Sequence, residues 1–290
     1  MMKKIIIILI LMVLVFGTGF YFRDNIVKFY NDFGRSVQSF QKTEIGNIIT
    51  EAGREILTPP PLNIGGASNK VVLLKSKVIE ETNIQRENNG LLALLESSEL
   101  EQAAMAKASD MFENQYFEHV SPTGVGPGDL AKEYGYNYII EGENLILGNF
   151  SSEKEVVQEW MDSPGHRANI LNNRYAEIGV AVIKGTYKGE SVWIGVQEFG
   201  LPLSTCNEPS ISQKNQINSN QNQLDFLSAE INQKRAEIDN VNRRSAGYNI
   251  LVREYNDLVS QYNLLANETK NLVNQYNQEV NNFNACVAGN

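Results

Sequence analysis

A long apolar run over residues 5–22 is the first feature of the hydrophobic pattern, with Lys3 and Lys4 before it and Arg23 after it. Its eighteen uncharged positions reach the lower limit of a membrane-spanning helix and exceed most signal-peptide cores. Lysines ahead of such a run keep that end in the cytoplasm, so the rest of the chain is predicted to be extracytoplasmic. Because no clear Ala-x-Ala cleavage site is present, residues 1–23 are interpreted as a transmembrane helix that anchors the protein in the cell membrane. A cleaved signal peptide and a secreted protein are the alternative.

Apolar residues recur at steps of three and four between residues 26 and 57, which predicts a helix with one narrow apolar stripe. Such a stripe suits a stalk that packs against another helix, and a helix lying on the membrane surface is the alternative. The prolines at 59–61 end this helix, and residues 65–68 add glycine and small residues. Residues 24–70 are therefore predicted to form a helical stalk and a linker.

The region from 71 to 205 mixes helical and strand patterns of ordinary length. Helices are predicted over residues 78–85, from Ser97 or Ser98 onward, over 129–134, after Ser151 or Ser152, and over 165–171. Strands are predicted over residues 138–147, 178–183 and 192–199, the last two joined as a hairpin with Gly189 at its turn. Helices that come first and antiparallel strands that come late predict the α+β class, with a small sheet sandwiched by helices.

The C-terminal region carries the clearest repeat of the chain. Residues 201–222 are rich in Ser, Asn and Gln and are predicted to be a linker. Beyond them, aromatic residues recur at a seven-residue spacing, among them Tyr248, Tyr255, Tyr262 and Tyr276. A seven-residue period is typical of a coiled coil, so these heptads predict a contact with a protein partner.

Cys206 and Cys286 are the only cysteines, and each lies forty residues from Ala246. Residues 206–290 fit either one long helix or two antiparallel helices that turn at residues 245–247. A forty-residue helix is about 60 Å long, so an unbroken rod would keep the two cysteines far apart. Two cysteines in an exported protein are ordinarily paired, which favours a helical hairpin closed by a disulfide.

The net charge excludes one class of partner, and the two histidines indicate a candidate site. A net charge of −9 without any run of Lys and Arg excludes nucleic acid as a partner. His119 and His166 are the only histidines, and with Glu143 they form a set of two imidazoles and one carboxylate. Such a set suits Zn²⁺ with an open coordination position, or proton transfer, and structural histidines are the alternative. Neither Ser121 nor Ser163 lies in the Gly-x-Ser-x-Gly turn of a serine hydrolase.

Five segments between residues 76 and 200 carry a family resemblance. They are 82–86 (TNIQR), 116–122 (YFEHVSP), 142–144 (GEN), 160–171 (WMDSPGHRANIL) and 175–180 (YAEIGV), followed by residues 193–200. In this order they resemble the CAP superfamily of cysteine-rich secretory, antigen-five and pathogenesis-related proteins, in its bacterial, SCP-like form. The resemblance does not extend to the anchor, the stalk or the C-terminal repeats.

The resemblance implies an α-β-α sandwich with a central cleft, which many members line with two histidines and two acidic residues able to hold a divalent metal. His119 and Glu143 match that pattern, and His166 belongs to the Ser-Pro-Gly-His segment of bacterial members. The second histidine of the animal and plant pattern would fall near Arg174, and the second acid near Ser163. The full set of four is therefore not reproduced, and His119, Glu143 and His166 are the predicted cleft and metal residues, with zinc or another divalent cation as the cofactor.

Members of the family bind sterols or fatty acids, act as toxins or defence proteins, or are linked to proteolysis, and a shared fold does not select among these activities. We expect a membrane-anchored extracytoplasmic binding module for a lipid, another small apolar molecule or the cell envelope. A metal-dependent hydrolase or peptidase is one alternative. A structural adhesion or envelope protein that acts through the C-terminal coiled coil is the other.

Overall fold

The computed structural model describes residues 55–66 and 71–289, and the predicted anchor and most of the predicted stalk lie outside these residues. The strands are β1 (Glu55–Leu57), β2 (Leu62–Gly65), β3 (Leu95–Glu96), β4 (Tyr138–Gly148), β5 (Glu177–Tyr187) and β6 (Glu190–Pro202). The helices are α1 (Lys75–Asn88), α2 (Ser98–Glu113), α3 (Pro127–Glu133), α4 (Glu153–Asp162), α5 (Pro164–Ile170), α6 (Ile211–Asn240) and α7 (Ala246–Val287).

The six strands form one sheet in the order β1-β4-β6-β5-β3, with β2 also paired to β4. Strands β4, β6 and β5 are long and antiparallel, and they form the centre of the sheet. The hairpin between β5 and β6 turns at Gly189, as predicted. The φ angle of this residue is +87°, a backbone conformation that glycine adopts without steric cost. Strands β1 and β2 run parallel to β4 along its outer edge.

Each face of the sheet carries its own hydrophobic core. Trp160 of α4 and Ile170 of α5 pack with residues of α1 and the sheet, including Ile146 and Phe199, on one face. On the other face, Met111 of α2 packs with residues of β4, β5 and β6. Because side chains alternate along a strand, β4 contributes Ile146 to the first core and its neighbours Leu145 and Leu147 to the second. The mixed arrangement of a sheet between helices agrees with the predicted fold class.

The predicted helices and strands between residues 71 and 200 are found at the predicted places, with ends that differ by a few residues. Serines cap two of these helices. The hydroxyl of Ser97 accepts from the Leu100 amide at the start of α2, and that of Ser152 accepts from the Glu155 amide at the start of α4.

The prediction that the stalk helix continues to Leu57 is wrong for its last three residues, because residues 55–57 form strand β1. The predicted linker likewise contains strand β2. Proline 59 disfavours helical backbone in the residue before it, and residues 59–61 have no N–H to continue a helix. An extended chain that pairs with the free edge of β4 satisfies more backbone groups here than a helix end would.

The C-terminal region is a hairpin of two long helices. Near the start of α6, the Ser210 backbone N–H donates to Oε2 of Glu279 at 2.8 Å. Near the end of α6, Nζ of Lys234 lies 3.1 Å from Oε2 of Glu254, so α6 and α7 are antiparallel. The predicted linker at 201–222 is wrong from Ile211 onward, since α6 begins there. Buried Ile217, Leu224 and Leu227 supply an apolar side to that polar sequence. The coiled-coil contact with a protein partner stays a prediction.

The predicted disulfide between Cys206 and Cys286 is confirmed, with 5.8 Å between the two Cα atoms. Cys206 is buried together with Ile139 of β4 and Phe283 of α7, so the open end of the hairpin is fixed against the sheet. Across residues 55–66 and 71–289, every helix is too short or too polar to cross a membrane.

Candidate functional site

His119 and Glu143 meet in a cleft beside the outer edge of β4. His119 lies in the loop after α2, and Glu143 lies in the middle of β4. Nδ1 of His119 and Oε1 of Glu143 are 2.5 Å apart, with the Glu143 side chain fully buried and the His119 side chain 12% exposed. The structure therefore brings together two of the three predicted site residues, which are 24 positions apart in the chain.

The second ring nitrogen of His119 fixes the protonation of this pair. Nε2 contacts the backbone carbonyl oxygen of Pro59, which can only accept, so Nε2 carries a hydrogen and donates it. One further proton must lie between Nδ1 and the Glu143 carboxyl group to complete their hydrogen bond. Whether that proton resides on the ring or on the carboxyl group, the pair has no net charge and offers a single N–H donor to the cleft.

A buried lysine positions the His119 loop. Nζ of Lys107, on α2, donates to the His119 carbonyl oxygen at 2.6 Å, and the residue is only 1% exposed. Burial lowers the pKa of this ammonium group, an effect that Glu143 and Glu198 oppose. Lys107 therefore holds the backbone of His119 in place and supplies positive charge beside the carboxyl groups of the sheet.

Two further carboxyl groups lie beside Glu143. Glu198 is paired directly opposite Glu143 in the β4–β6 ladder, and Glu141 lies two residues earlier on the same face of β4. Burial, followed by the charges of Glu143 and Glu141, raises the pKa of Glu198 well above its ordinary value. Burial also raises the pKa of Glu141, to about 8. These two groups are thus protonated in the folded protein at pH values where they are ionised in the unfolded chain.

Replacing Glu198 with glutamine should make the protein more stable at alkaline pH. The folded state holds protons on this pair above pH ~4.5 that the unfolded chain releases, so wild-type stability falls as the pH rises towards about 8. Glutamine keeps the shape and carries no charge, so the stability of Glu198→Gln should fall less than that of wild type as the pH rises from ~5 to ~8. Urea unfolding at both pH values measures this, with exposed Glu190→Gln as the control. A gap that is constant with pH, or that shrinks, would contradict the assignment.

His166 lies in a different environment from His119. It lies in α5, is 1% exposed, and its Nδ1 is 2.8 Å from the Ser163 hydroxyl group. Burial, with a smaller contribution from His119, lowers the pKa of His166 to about 4, so the ring is neutral at physiological pH. It hydrogen-bonds to neither His119 nor Glu143, and the three predicted residues do not form one contact set.

An amide network connects the α5 segment to β4. Asn169 donates to the Asn144 side chain at 3.0 Å, and Asn144 donates to the Gln197 side chain at 3.1 Å. Gln197 donates in turn to the hydroxyl group of Thr82 on α1. All four residues are buried, so the network fixes the position of α5 relative to the sheet and with it one wall of the cleft.

Pro59 lies between the two walls of the cleft. Its carbonyl oxygen contacts His119 on one side. On the other side its ring faces Gly165, where an added Cβ would lie 2.7 Å from the Cβ atom of Pro59. Asn169 donates to the carbonyl oxygen of Leu57 at 3.0 Å, two residues earlier. The cleft between the histidine-bearing segments is thus filled by the protein's own residues 57–59.

In this arrangement His119 has no free ring nitrogen for a divalent metal. A metal bond needs the lone pair of an imidazole nitrogen, and both nitrogens of His119 are engaged by Glu143 and Pro59. Nδ1 of His166 is engaged by Ser163, whereas its Nε2 atom and Oε2 of Glu143 are buried without a hydrogen-bond partner among the described residues. Within residues 55–66 and 71–289, no three His, Cys, Asp or Glu side chains are placed to hold one ion.

A separate open pocket of about 540 Å³ lies where β4 and β5 begin and β6 ends. Its lining is largely polar and includes Glu96, Glu99, Glu177 and Glu208. A pocket of this composition does not suit the acyl chain of a lipid, which needs a predominantly apolar lining.

Sequence reasoning missed Glu141, Glu198, Lys107 and Pro59. Glu141 could have been found, because it precedes Glu143 by two in a predicted strand and must share its face. Glu198 lies in another predicted strand, but the register that sets it opposite Glu143 depends on distant pairing. Pro59 was interpreted as part of a linker, and no local signal shows that a linker returns to a cleft.

Comparison with known proteins identifies the domain that holds this cleft. Residues 79–199 match the model of the CAP, cysteine-rich secretory protein family. The chain is 41% identical over 133 residues to the uncharacterized protein YkwD of Bacillus subtilis, covering 46% of this chain and 49% of YkwD. It is 31% identical over 113 residues to the uncharacterized membrane protein YlbC of the same species, covering 39% of this chain and 32% of YlbC. The chain thus spans about half of YkwD and a third of YlbC.

Three solved structures are also similar over part of the chain. An outer surface protein from Borrelia burgdorferi is 25% identical with a TM-score of 0.40, covering 44% of this chain and 91% of that protein. An extracellular protein containing a SCP domain from Bacillus anthracis is 29% identical with a TM-score of 0.38, covering 43% and 39%. A cysteine-rich secretory protein from Staphylococcus aureus is 20% identical with a TM-score of 0.34, covering 46% and 42%. The family match over residues 79–199 shows that this chain contains a CAP domain.

Proposed function

We propose that this protein is an extracytoplasmic binding module, held at the membrane by residues 5–22, whose CAP domain takes its ligand in the cleft between His119 and Gly165. The contact between His119 and the Pro59 carbonyl oxygen carries the proposal. Glu143 orients the His119 ring through Nδ1, and Lys107 holds the His119 backbone. The cleft therefore presents a fixed N–H donor to a carbonyl group of the ligand. Such a preorganised donor is an element of recognition.

The location outside the cytoplasm is supported by the Cys206–Cys286 disulfide, since disulfides persist in oxidising compartments. It is also supported by the two lysines ahead of the apolar run at residues 5–22, which favour a cytoplasmic N-terminus. Anchoring and export are therefore proposed together, because both depend on that run.

Metal content separates this proposal from the metal-dependent hydrolase. The purified full-length chain is dialysed with Zn²⁺, then without it, and its metal is measured beside His119→Ala and His166→Ala. We expect no stoichiometric zinc in any of the three, because the nitrogens of His119 are already engaged. One zinc per chain in the wild type, lost in His119→Ala, would show that the nitrogens of His119 are free to bind a metal and would favour a hydrolase.

Ligand binding tests the cleft directly. Full-length wild type and His119→Ala each carry a specific protease site between Gly66 and Val71, which is cut so that residues 55–66 can leave the cleft. Each protein is then mixed with insoluble cell-wall material, a fluorescent fatty acid and extended peptides. Binding of at least one ligand class that weakens about tenfold in His119→Ala supports the cleft, a change that corresponds to the loss of one good hydrogen bond. Binding that is equal in the two proteins for every class would contradict it.

A further inference from the structure

Residues 55–66, here called the strap, follow the outer edge of β4 as an added strand. Glu55, Ile56 and Leu57 pair in parallel with residues 140–142, and Leu62 and Asn63 pair with residues 146 and 147. The prolines at 59–61 lie between these two stretches, opposite the residues around Glu143. Because proline has no N–H, the ladder is interrupted there, and its carbonyl oxygens are left for other donors.

Two side chains of the cleft and one backbone amide supply those donors. Asn169 donates to the Leu57 carbonyl oxygen at 3.0 Å, and His119 donates to that of Pro59. Farther along, the backbone N–H of Asn149 donates to the Gly65 carbonyl oxygen at 2.7 Å. Every one of these contacts is made to the main chain of the strap, so together they would bind any extended polypeptide that runs in this direction.

The walls of the cleft fit the bulk of the strap at specific positions. Gly165 leaves space for the Pro59 ring, and Gly128 leaves space for Ile56, whose Cδ1 atom would lie 2.6 Å from an added Cβ. Leu57 and Leu62 pack against the larger hydrophobic core. The fit selects a segment with apolar side chains on either side of a proline.

We propose that the cleft is a docking site for an extended, proline-containing polypeptide segment of a partner protein, and that the strap is its built-in occupant. Strand addition at a free sheet edge is a known mode of peptide recognition, in which main-chain hydrogen bonds give affinity and side-chain pockets give selectivity. This inference rests on the binding function proposed above and names the chemical class of its ligand.

The tether decides which segment occupies the cleft. A strap joined to the domain through residues 67–70 competes at a local concentration of roughly millimolar, so a free peptide is excluded from the intact chain. Separating the strap from the domain removes that advantage. The partner segment then binds in the same register, with its own carbonyl oxygens on Asn169 and His119.

The test uses the full-length chain with a specific protease site inserted between Gly66 and Val71. A fluorescent peptide with the sequence of residues 55–66 is titrated against the uncut and the cut protein. We expect binding to the cut protein and at least tenfold weaker binding to the uncut protein. His119→Ala and Gly165→Ala should each weaken binding to the cut protein by about tenfold. Gly247→Ala, at a position with open space, is the matched control for the glycine change.

The outcomes separate this inference from the function it rests on. Equal binding to cut and uncut protein, binding of a reversed-sequence peptide, or no effect of both cleft variants would overturn the docking site. No binding to the cut protein would overturn it as well. If fatty acid or cell-wall material still bound in a His119-dependent way, the proposed binding function would be supported, and only the proposal of a polypeptide ligand would be contradicted.

Discussion

Replacing Arg86 with alanine should lower the free energy of unfolding by about 5 kcal/mol. Arg86 is 2% exposed. Its guanidinium group donates to the carbonyl oxygens of Leu92, Ile170 and Asn172 at 2.8–2.9 Å and to that of Tyr175 at 3.4 Å. Alanine would leave these carbonyl groups without a donor and open a cavity in the core.

Lysine at position 86 should recover only part of this loss, because one ammonium group cannot reproduce the planar fork of a guanidinium group. The control is Arg174→Ala, which removes a half-exposed ion pair with Glu55 and should change stability by less than about 1 kcal/mol. Urea unfolding followed by circular dichroism measures all three variants. An Arg86→Ala protein within about 1 kcal/mol of wild type would show that these hydrogen bonds do not hold the domain together.

Removing the disulfide should have the second-largest effect. Cys206 and Cys286 are 80 residues apart, and closing a loop of that size stabilises the folded state by about 4 kcal/mol on the chain-entropy model. The Cys206→Ser, Cys286→Ser double variant should lose about that amount in urea unfolding. The loss should appear first in the helices of the hairpin, whose open end is no longer fixed against Ile139.

Reduction provides the matched control for this prediction. Dithiothreitol should bring wild type to the stability of the double variant and should leave the variant unchanged. A reductant effect of equal size in both proteins would show that the lost stability does not come from the Cys206–Cys286 bond.

Much of the fold was predictable because its signals are local. The helices and central strands between residues 71 and 200 follow from hydrophobic period, from the caps Ser97 and Ser152, and from Gly189 at the hairpin turn. The disulfide-closed hairpin was predictable because the two cysteines lie at equal distances on either side of a turn. A hairpin brings them together, and cysteines of an exported protein are ordinarily paired.

The strap was not predictable, since it depends on pairing between segments about 85 residues apart in the chain, such as Leu57 and Gly142. The prolines at 59–61 correctly marked the end of a helix, but the same signal is given by a linker and by an edge strand. The start of α6 was missed for another reason. Polar Asn220 and Gln221 are buried in the hairpin, so the helix lacks the strong apolar period that sequence reasoning detects.

The candidate site was predictable in part. The resemblance and the residue types selected His119, Glu143 and His166, and the first two are in contact. The difference in burial and hydrogen bonding between the two histidines could be seen only in the folded structure. Burial keeps His166 neutral beside Ser163, whereas His119 shares a proton with Glu143 and faces a carbonyl group. The two histidines therefore differ in protonation and in hydrogen-bond partners, although they lie in one window of the sequence.

Hydrogen exchange of the strap in the full-length protein shows whether residues 55–66 fill the cleft. The backbone amides of residues 55–66 should exchange slowly in wild type, because β1 and β2 pair with β4 and His119 holds the Pro59 carbonyl oxygen. In His119→Ala these amides should exchange about tenfold faster while those of the β5–β6 hairpin keep their wild-type rates. Strap amides that exchange in wild type at the rate of an unstructured chain would contradict the account, because the cleft would then be open.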